Sequence, residues 1–235
     1  PFSVYLESKR KLYIPRYFGI NKFGLPKENK IKDGQPINIK FNSDLRPNQK
    51  PVVKKFIEAA EERGGGIISV PCGFGKTVLA LYLVAALKVK TLVIVHKEFL
   101  MDQWKERIEF FLPDAKVGKL QGDVVKIEGN DIVIGMLQSI SMKDYPGDIF
   151  DSFGFVIYDE CHHLGAEVFS RSLIKVGCKY TLGLSATPKR SDGLTKVFEW
   201  FLGDTVYCIK QREQEEVKVK LIKYYTEDEE YSDIK

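Results

Sequence analysis

Two short clusters in this chain combine residue types and spacing suited to phosphate chemistry. The first is Pro71-Cys72-Gly73-Phe74-Gly75-Lys76-Thr77, which follows the apolar run Ile67 to Val70 and opens an apolar helical stretch ending near Leu87. In that context consecutive backbone N–H groups form an anion nest, and the helix N-terminus adds partial positive charge. Gly73 and Gly75 let the backbone approach phosphates with no Cβ in the way. Lys76 has the reach for the β and γ phosphates, and the Thr77 hydroxyl suits Mg²⁺. The general motif G-x-x-x-x-G-K-[ST] places its first glycine where this chain has Val70. Two readings therefore stand at this point: a nucleotide loop, or a strand–turn–helix connection that only happens to contain Gly-Lys-Thr.

The second cluster is Asp159-Glu160, at the end of the apolar run Phe155 to Tyr158. Parallel sheets bind ligands at that edge. Asp159 is suited to hold Mg²⁺, usually through water, and Glu160 to orient and deprotonate an attacking water. An Asp-Glu pair alone reads as a surface turn; after a phosphate loop in the same pattern it reads as the acidic half of a nucleotide site. His162 and His163 follow, but no other histidine or cysteine lies at a spacing that favours zinc.

The elements that must position these clusters are an alternation of strands and helices. The spacing predicts a helix from Pro51 to about Arg63, with Val52, Val53, Phe56, Ile57 and Ala60 on one side. Strands are expected at Ile67–Val70, Thr91–Val95, Ile132–Met136, Phe155–Tyr158 and Tyr180–Leu184, and helices at Lys76–Leu87 and Glu98–Leu112. The strands lack period-2 alternation, as expected when both sheet faces are covered. An α/β fold with a parallel sheet flanked by helices follows. After about Gly203 two further strand-like runs occur, the clearer from Val217 to Tyr225. Trp104, Phe110 and Phe111, and likewise Phe198, Trp200 and Phe201, read better as core packing than as base-stacking platforms. Residues 1–44 read as a small β-rich accessory region, with Phe2, Val4 and Leu6 alternating, then Ile37, Ile39 and Phe41. Residues 45–210 form the main lobe, and 211–235 a connecting segment.

Composition excludes several classes. A chain of 235 residues supports one large domain with a small appendage. Cys72, Cys161, Cys178 and Cys208 are scattered without a CxxC pair, which argues against a disulfide framework and fits an intracellular setting. No apolar run approaches the ~18 residues needed to span a bilayer, so no membrane partner is expected. The chain opens at a proline, which reads as a processed fragment. The net charge of +4 is mild, but Lys9, Arg10, Lys11, Arg16 and further lysines up to Lys40 crowd the N-terminal stretch. That stretch reads equally as a phosphate-attracting surface or a solvated one.

Taken in order, the motifs resemble those of the superfamily 2 helicases over about Leu45 to Arg190. Gly73 to Thr77 matches a phosphate loop that often lacks its first glycine, Asp159-Glu160-Cys161-His162 the D-E-x-H box, and Ser185-Ala186-Thr187 the S-A-T motif. Arg46 and Gln49 in Leu-Arg-Pro-Asn-Gln look like the adenine-reading element. Val95-His96-Lys97 with Gln103-Trp104, and Gly135 with Gln138-Ser139, resemble the two nucleic-acid-contacting motifs. Within the superfamily, the D-E-C-H-H box and the R-P-N-Q element look like the group of the TFIIH repair and transcription helicase. The loop P-C-G-F-G-K-T is also similar to that of the transcript-release helicases of large cytoplasmic DNA viruses.

The resemblance implies a RecA-like P-loop lobe that takes ATP and Mg²⁺. Lys76, Asp159 and Glu160 would be catalytic. Arg46, Gln49, Gly73, Gly75, Lys76, Thr77 and His162 would hold the nucleotide, with Thr77 and Asp159 on the metal. Lys97, Gln138, Ser139, Ser185, Thr187 and Arg190 would contact nucleic acid or couple it to the ATP site. It also implies a partner lobe supplying arginine fingers, for which no room remains after Arg190. This chain alone is therefore expected to hydrolyse ATP poorly. DNA is the favoured track and RNA the other, with transcription or repair machinery as partners and the nucleus, or the cytoplasm and virion of a virus, as setting. Two other functions remain open: a duplex translocase without strand separation, and a nucleic-acid-binding module with a vestigial ATP site.

Overall fold

Runs such as Phe155–Tyr158 are apolar at every position because successive side chains enter opposite cores. The structure, a computed structural model, describes residues 3–146, 148–160, 166–186 and 195–209. In chain order its elements are β1 (Leu6–Ser8), β2 (Lys11–Tyr13), α1 (Arg16–Phe23), α2 (Lys50–Arg63), β3 (Gly65–Ser69), α3 (Lys76–Leu87), β4 (Thr91–Val95), α4 (Glu98–Phe111), β5 (Val117–Gln121), β6 (Val124–Val125), β7 (Ile132–Met136), α5 (Leu137–Met142), β8 (Phe155–Tyr158), α6 (Ala166–Lys175), β9 (Tyr180–Ser185), α7 (Thr195–Leu202) and β10 (Thr205–Cys208). Eight strands form one sheet in the order β10-β3-β9-β8-β4-β7-β5-β6. All pairs are parallel except β5–β6.

On one face Ile68, Val93, Val95, Ile134, Phe155 and Ile157 pack against α2, α3 and α4. Their neighbours Ile67, Leu92, Ile94, Val133, Val156 and Tyr158 pack on the other face with α5, α6 and α7. The strand and helix positions expected from the sequence occur within a residue or two, and α3 and β4 on the predicted residues. Within the described residues no helix is long and apolar enough to cross a membrane. The run Val217–Tyr225 lies outside the described residues.

The N-terminal stretch departs from the expected run of β segments. β1 and β2 do form an antiparallel hairpin, but α1 follows it, in a segment rich in Tyr, Phe and Ile with a glycine inside. Such a sequence makes a poor isolated helix, so tertiary contacts must sustain it. The Arg16 guanidinium donates to the carbonyls of Cys178 (3.2 Å) and Lys179 (2.9 Å). The Tyr17 hydroxyl bonds Thr181 Oγ1 at 2.8 Å, and Phe18 meets Trp200 edge-on at 5.4 Å. Ile37–Phe41 is extended but joins no ladder beyond one bridge, Pro36 to Val89. Its alternation instead reflects Ile37 and Ile39 turning into the main core, with backbone bonds to Lys88 at one end and Phe111 at the other.

The aromatic stripe of α4 is also split. Trp104 is buried and Phe111 stacks on Phe41 at 5.5 Å, whereas Phe110 is 67% exposed. Phe110 falls on the solvent side of the helix and meets the Phe111 ring in a T-shaped contact at 4.8 Å.

Candidate functional site

Every expected motif that falls in the described residues lies at or beside the carboxyl edge of the sheet, apart from the adenine-reading element, which reaches that edge from α2. The phosphate loop follows β3, Asp159 and Glu160 follow β8, and Ser185 ends β9, the strand between them. Val70 continues β3 by donating its N–H to the Ser185 carbonyl at 3.0 Å, which ties the loop's first residue to the S-A-T strand. His162, Thr187 and Arg190 lie outside the described residues.

Gly75 caps α3 in a left-handed conformation (φ 98°, ψ 44°), and Gly73 is also left-handed (φ 79°). That geometry turns the chain sharply from strand to helix and leaves the first amides of α3 facing the loop's concavity. The loop is held from behind by Gln49, which is only 1% exposed. Its Nε2 donates to the Phe74 carbonyl at 2.9 Å, and its Oε1 accepts the Arg46 N–H at 3.0 Å. These bonds use one amide hydrogen and one lone pair, so the amide keeps capacity for a base edge. Arg46 itself is exposed.

Lys76 Nζ pairs with Glu160 Oε1 at 3.0 Å, with the two side chains 10% and 23% exposed. Glu160 sits in left-handed backbone (φ 49°), a conformation that costs a non-glycine residue ~1–3 kcal/mol and recurs at functional sites. The turn points its carboxylate across the loop to Lys76. Asp159 is buried and accepts a hydrogen bond from the Trp104 indole N–H at Oδ2, 2.7 Å away. Burial pushes the Asp159 carboxyl above its usual range and neighbouring Glu160 adds to this, while the indole and Lys76 oppose it.

Thr77, Trp104 and Asp159 line one pocket of about 330 Å³ with Gln103, Glu106 and Arg107. Among the described residues no three His, Cys, Asp or Glu side chains cluster to make a protein-only metal cage. The Asp159 carboxylate and the Thr77 hydroxyl, on residues lining a common pocket, are instead the donor types of an Mg²⁺ that completes its octahedron with phosphate oxygens and water. The residues fit that ion and an ATP phosphate chain.

The candidate nucleic-acid residues sit on neighbouring strand ends. Lys97 is the extended residue capping α4; it is exposed, with its ammonium over the Phe99 ring at 5.8 Å. Gln138 Nε2 donates to the His96 carbonyl at 3.1 Å, and Ser139 Oγ accepts the Gly122 N–H at 2.9 Å. These two side chains lace together the loops after β4, β5 and β7. The sequence had not pointed to Trp104 as a partner of Asp159. The available signal was chemical: a buried indole needs an acceptor for its N–H.

Comparison with known proteins bears on the family and the fold. The family model described as "Type III restriction enzyme, res subunit" matches residues 42–190. A candidate ATP-dependent RNA helicase of Acanthamoeba polyphaga mimivirus is 38% identical over 231 residues, covering 97% of this chain and 44% of that protein. The DNA 3'-5' translocase XPB2 of Sulfurisphaera tokodaii is 34% identical over 215 residues, covering 89% of this chain and 46% of that protein. The chain thus spans less than half the length of these relatives. Among solved structures, the UvsW helicase of bacteriophage T4 superposes with a TM-score of 0.59 at 18% identity, over 84% of this chain and 80% of that one. The SWI2/SNF2 ATPase core of Sulfolobus solfataricus, solved with dsDNA, gives 0.58 at 19% identity, over 74% of this chain and 38% of that one. These two likenesses concern the fold.

Proposed function

We propose, from the premise that the chain belongs to the type III restriction enzyme res subunit family of superfamily 2 helicase ATPases, that it is the ATP-binding lobe of a motor that couples ATP hydrolysis to movement on nucleic acid, DNA being favoured. The observation that carries this reading is the Lys76–Glu160 pair at 3.0 Å, set between a left-handed glycine loop and a buried Asp159 at the carboxyl edge of a parallel sheet. In that arrangement the ammonium that would meet the γ phosphate holds the base until nucleotide arrives.

The residues divide the work. Backbone amides of Gly73 to Thr77 cradle the phosphates, Lys76 neutralises their charge, and Thr77 with Asp159 would hold Mg²⁺, which supplies charge neutralisation when bound. Glu160, released from Lys76, orients the attacking water and takes its proton. Gln49 and Arg46 meet the adenine. His162 completes the acidic box beside the nucleotide. Ser185 and Thr187 link the ATP site to the track, where Lys97, Gln138, Ser139 and Arg190 contact phosphates. Such contacts set affinity rather than sequence preference. A second RecA-like lobe completes the cleft with arginine fingers, worth about 10³–10⁵ in rate, so this chain alone turns over slowly. The resemblance of Asp159-Glu160-Cys161-His162-His163 and of Arg46-Pro47-Asn48-Gln49 to the TFIIH helicase group is what supports a setting in transcription or repair.

Binding of a fluorescent ATP analogue with Mg²⁺ tests the reading. Micromolar-range binding by the wild type, abolished in Lys76→Ala with folding intact, is expected; equal binding by both proteins would sink it. A strand-displacement assay separates a helicase from a translocase that leaves the duplex closed.

A further inference from the structure

The hydrogen bond between Trp104 and Asp159 joins residues 55 positions apart and is buried at both ends. A buried indole satisfied by a backbone carbonyl would need no such partner. Here the acceptor is the side chain expected to hold the metal, and at 2.7 Å the bond has the length of a charge-assisted one. The bond holds the carboxylate at Oδ2, the Glu160 backbone N–H also bonds the carboxyl, and the side chain so held lines the pocket that Thr77 shares. Metal-binding carboxylates are commonly oriented in this way by a neighbouring donor.

The helix that carries Trp104 has a second connection. Lys97 caps the N-terminal end of α4, seven residues before Trp104, or about 10 Å along the axis at 1.5 Å per residue. One rigid element therefore has an exposed cation from the nucleic-acid edge at its start and the Asp159 donor in its middle.

We propose that Trp104 is a positioning residue for the metal–nucleotide complex: its indole N–H sets the Asp159 carboxylate for Mg²⁺, and α4 links that setting to the nucleic-acid edge. This deepens the functional reading above and rests on it. A packing role alone would require only the ring; the proposal requires the N–H.

The test is nucleotide affinity as a function of Mg²⁺, read by anisotropy of a fluorescent ADP, in the protein as it exists. Wild type is compared with Trp104→Phe and with a variant carrying benzothienylalanine at position 104, which keeps the bicyclic shape and removes the N–H. In EDTA all three should bind ADP within about twofold of one another. The Mg²⁺ concentration for half-maximal tightening should rise about tenfold or more in both variants, the range expected when a metal ligand loses its orienting partner. If Trp104→Phe fails to fold, the benzothienylalanine protein decides alone. A Mg²⁺ dependence like the wild type's in that protein, or an equal loss in EDTA, overturns the proposal. Absence of any Mg²⁺-dependent binding in the wild type would overturn the functional reading and this inference with it.

Discussion

Replacing Gly75 by alanine should damage the phosphate loop far more than the same change at Gly73. Both residues are left-handed, so alanine at either costs about 1–2 kcal/mol in backbone energy. At Gly73 the added Cβ would meet nothing within 4 Å, whereas at Gly75 it would lie 2.6 Å from Gln49 Nε2. The Gln49 amide would have to swing away, breaking its bonds to Phe74 and Arg46. Two net hydrogen bonds are worth about 2 kcal/mol together. Gly75→Ala should therefore cost about 3–4 kcal/mol, and Gly73→Ala about 1–2. At roughly 2–4 °C per kcal/mol for a domain of this size, the midpoint should fall by roughly 10 °C in the first and by a few degrees in the second. Thermal unfolding by circular dichroism measures both. Adding Gln49→Ala to Gly75→Ala removes the clashing group, so the double variant should be more stable than the sum of its single losses by about 1 kcal/mol or more. Equal losses at Gly73 and Gly75, or strict additivity in the double variant, would refute the claim that Gln49 braces the loop.

Lys97 is exposed and its ammonium lies over the exposed Phe99 ring, a contact worth about 0.5–1 kcal/mol at such a site, so Lys97→Ala should lower the unfolding midpoint by no more than about 4 °C. It should weaken binding to all nucleic-acid sequences alike and lower the salt slope of log K by about 1; a sequence-dependent loss in filter binding would contradict the assignment. Asp159→Asn should raise the unfolding midpoint of the apo protein at pH 7. Burial raises the folded pKa of Asp159 above its unfolded value, so the ionised form carries a penalty above the folded pKa. That penalty shrinks as pH falls towards the ordinary Asp value of about 3.9. The stabilisation should therefore shrink as pH falls through the folded pKa and be lost below about pH 3, and a full gain that persists there would show that ionisation is not its source.

The parts of the fold legible in the sequence are those whose pattern reports local burial. β7 and β8 are continuously apolar, and β4 is so after Thr91, because both faces are covered, and α3 begins at a glycine-ended turn and runs uninterrupted to Leu87. α1 was hidden because Tyr17, Phe18, Gly19 and Ile20 disfavour an isolated helix; its stability comes from Arg16 and Tyr17 binding residues more than 160 positions away. Ile37–Phe41 imitates a strand because alternate side chains enter the core while the backbone pairs with loops. β5 escaped notice because only Gly118 and Leu120 are buried in it, near the sheet's edge. The site was legible wherever chemistry is carried by a contiguous motif, as in Gly73 to Thr77 and Asp159-Glu160. It was not legible where two distant segments meet. Gln49 was expected at the adenine, and its grip on the Phe74 carbonyl depends on how α2 docks; the bond of Trp104 to Asp159 depends on how α4 crosses the end of β8.

ATP hydrolysis by this chain joined to the proposed second lobe, with and without duplex DNA, single-stranded DNA and RNA, tests the central claim most directly when Glu160→Gln and this 235-residue chain are measured beside it. The account predicts turnover stimulated by one nucleic acid, a loss of about 10²–10⁴ in Glu160→Gln as expected for a general base, and slow turnover by the single lobe. Turnover that no nucleic acid stimulates, or that Glu160→Gln retains, would contradict it.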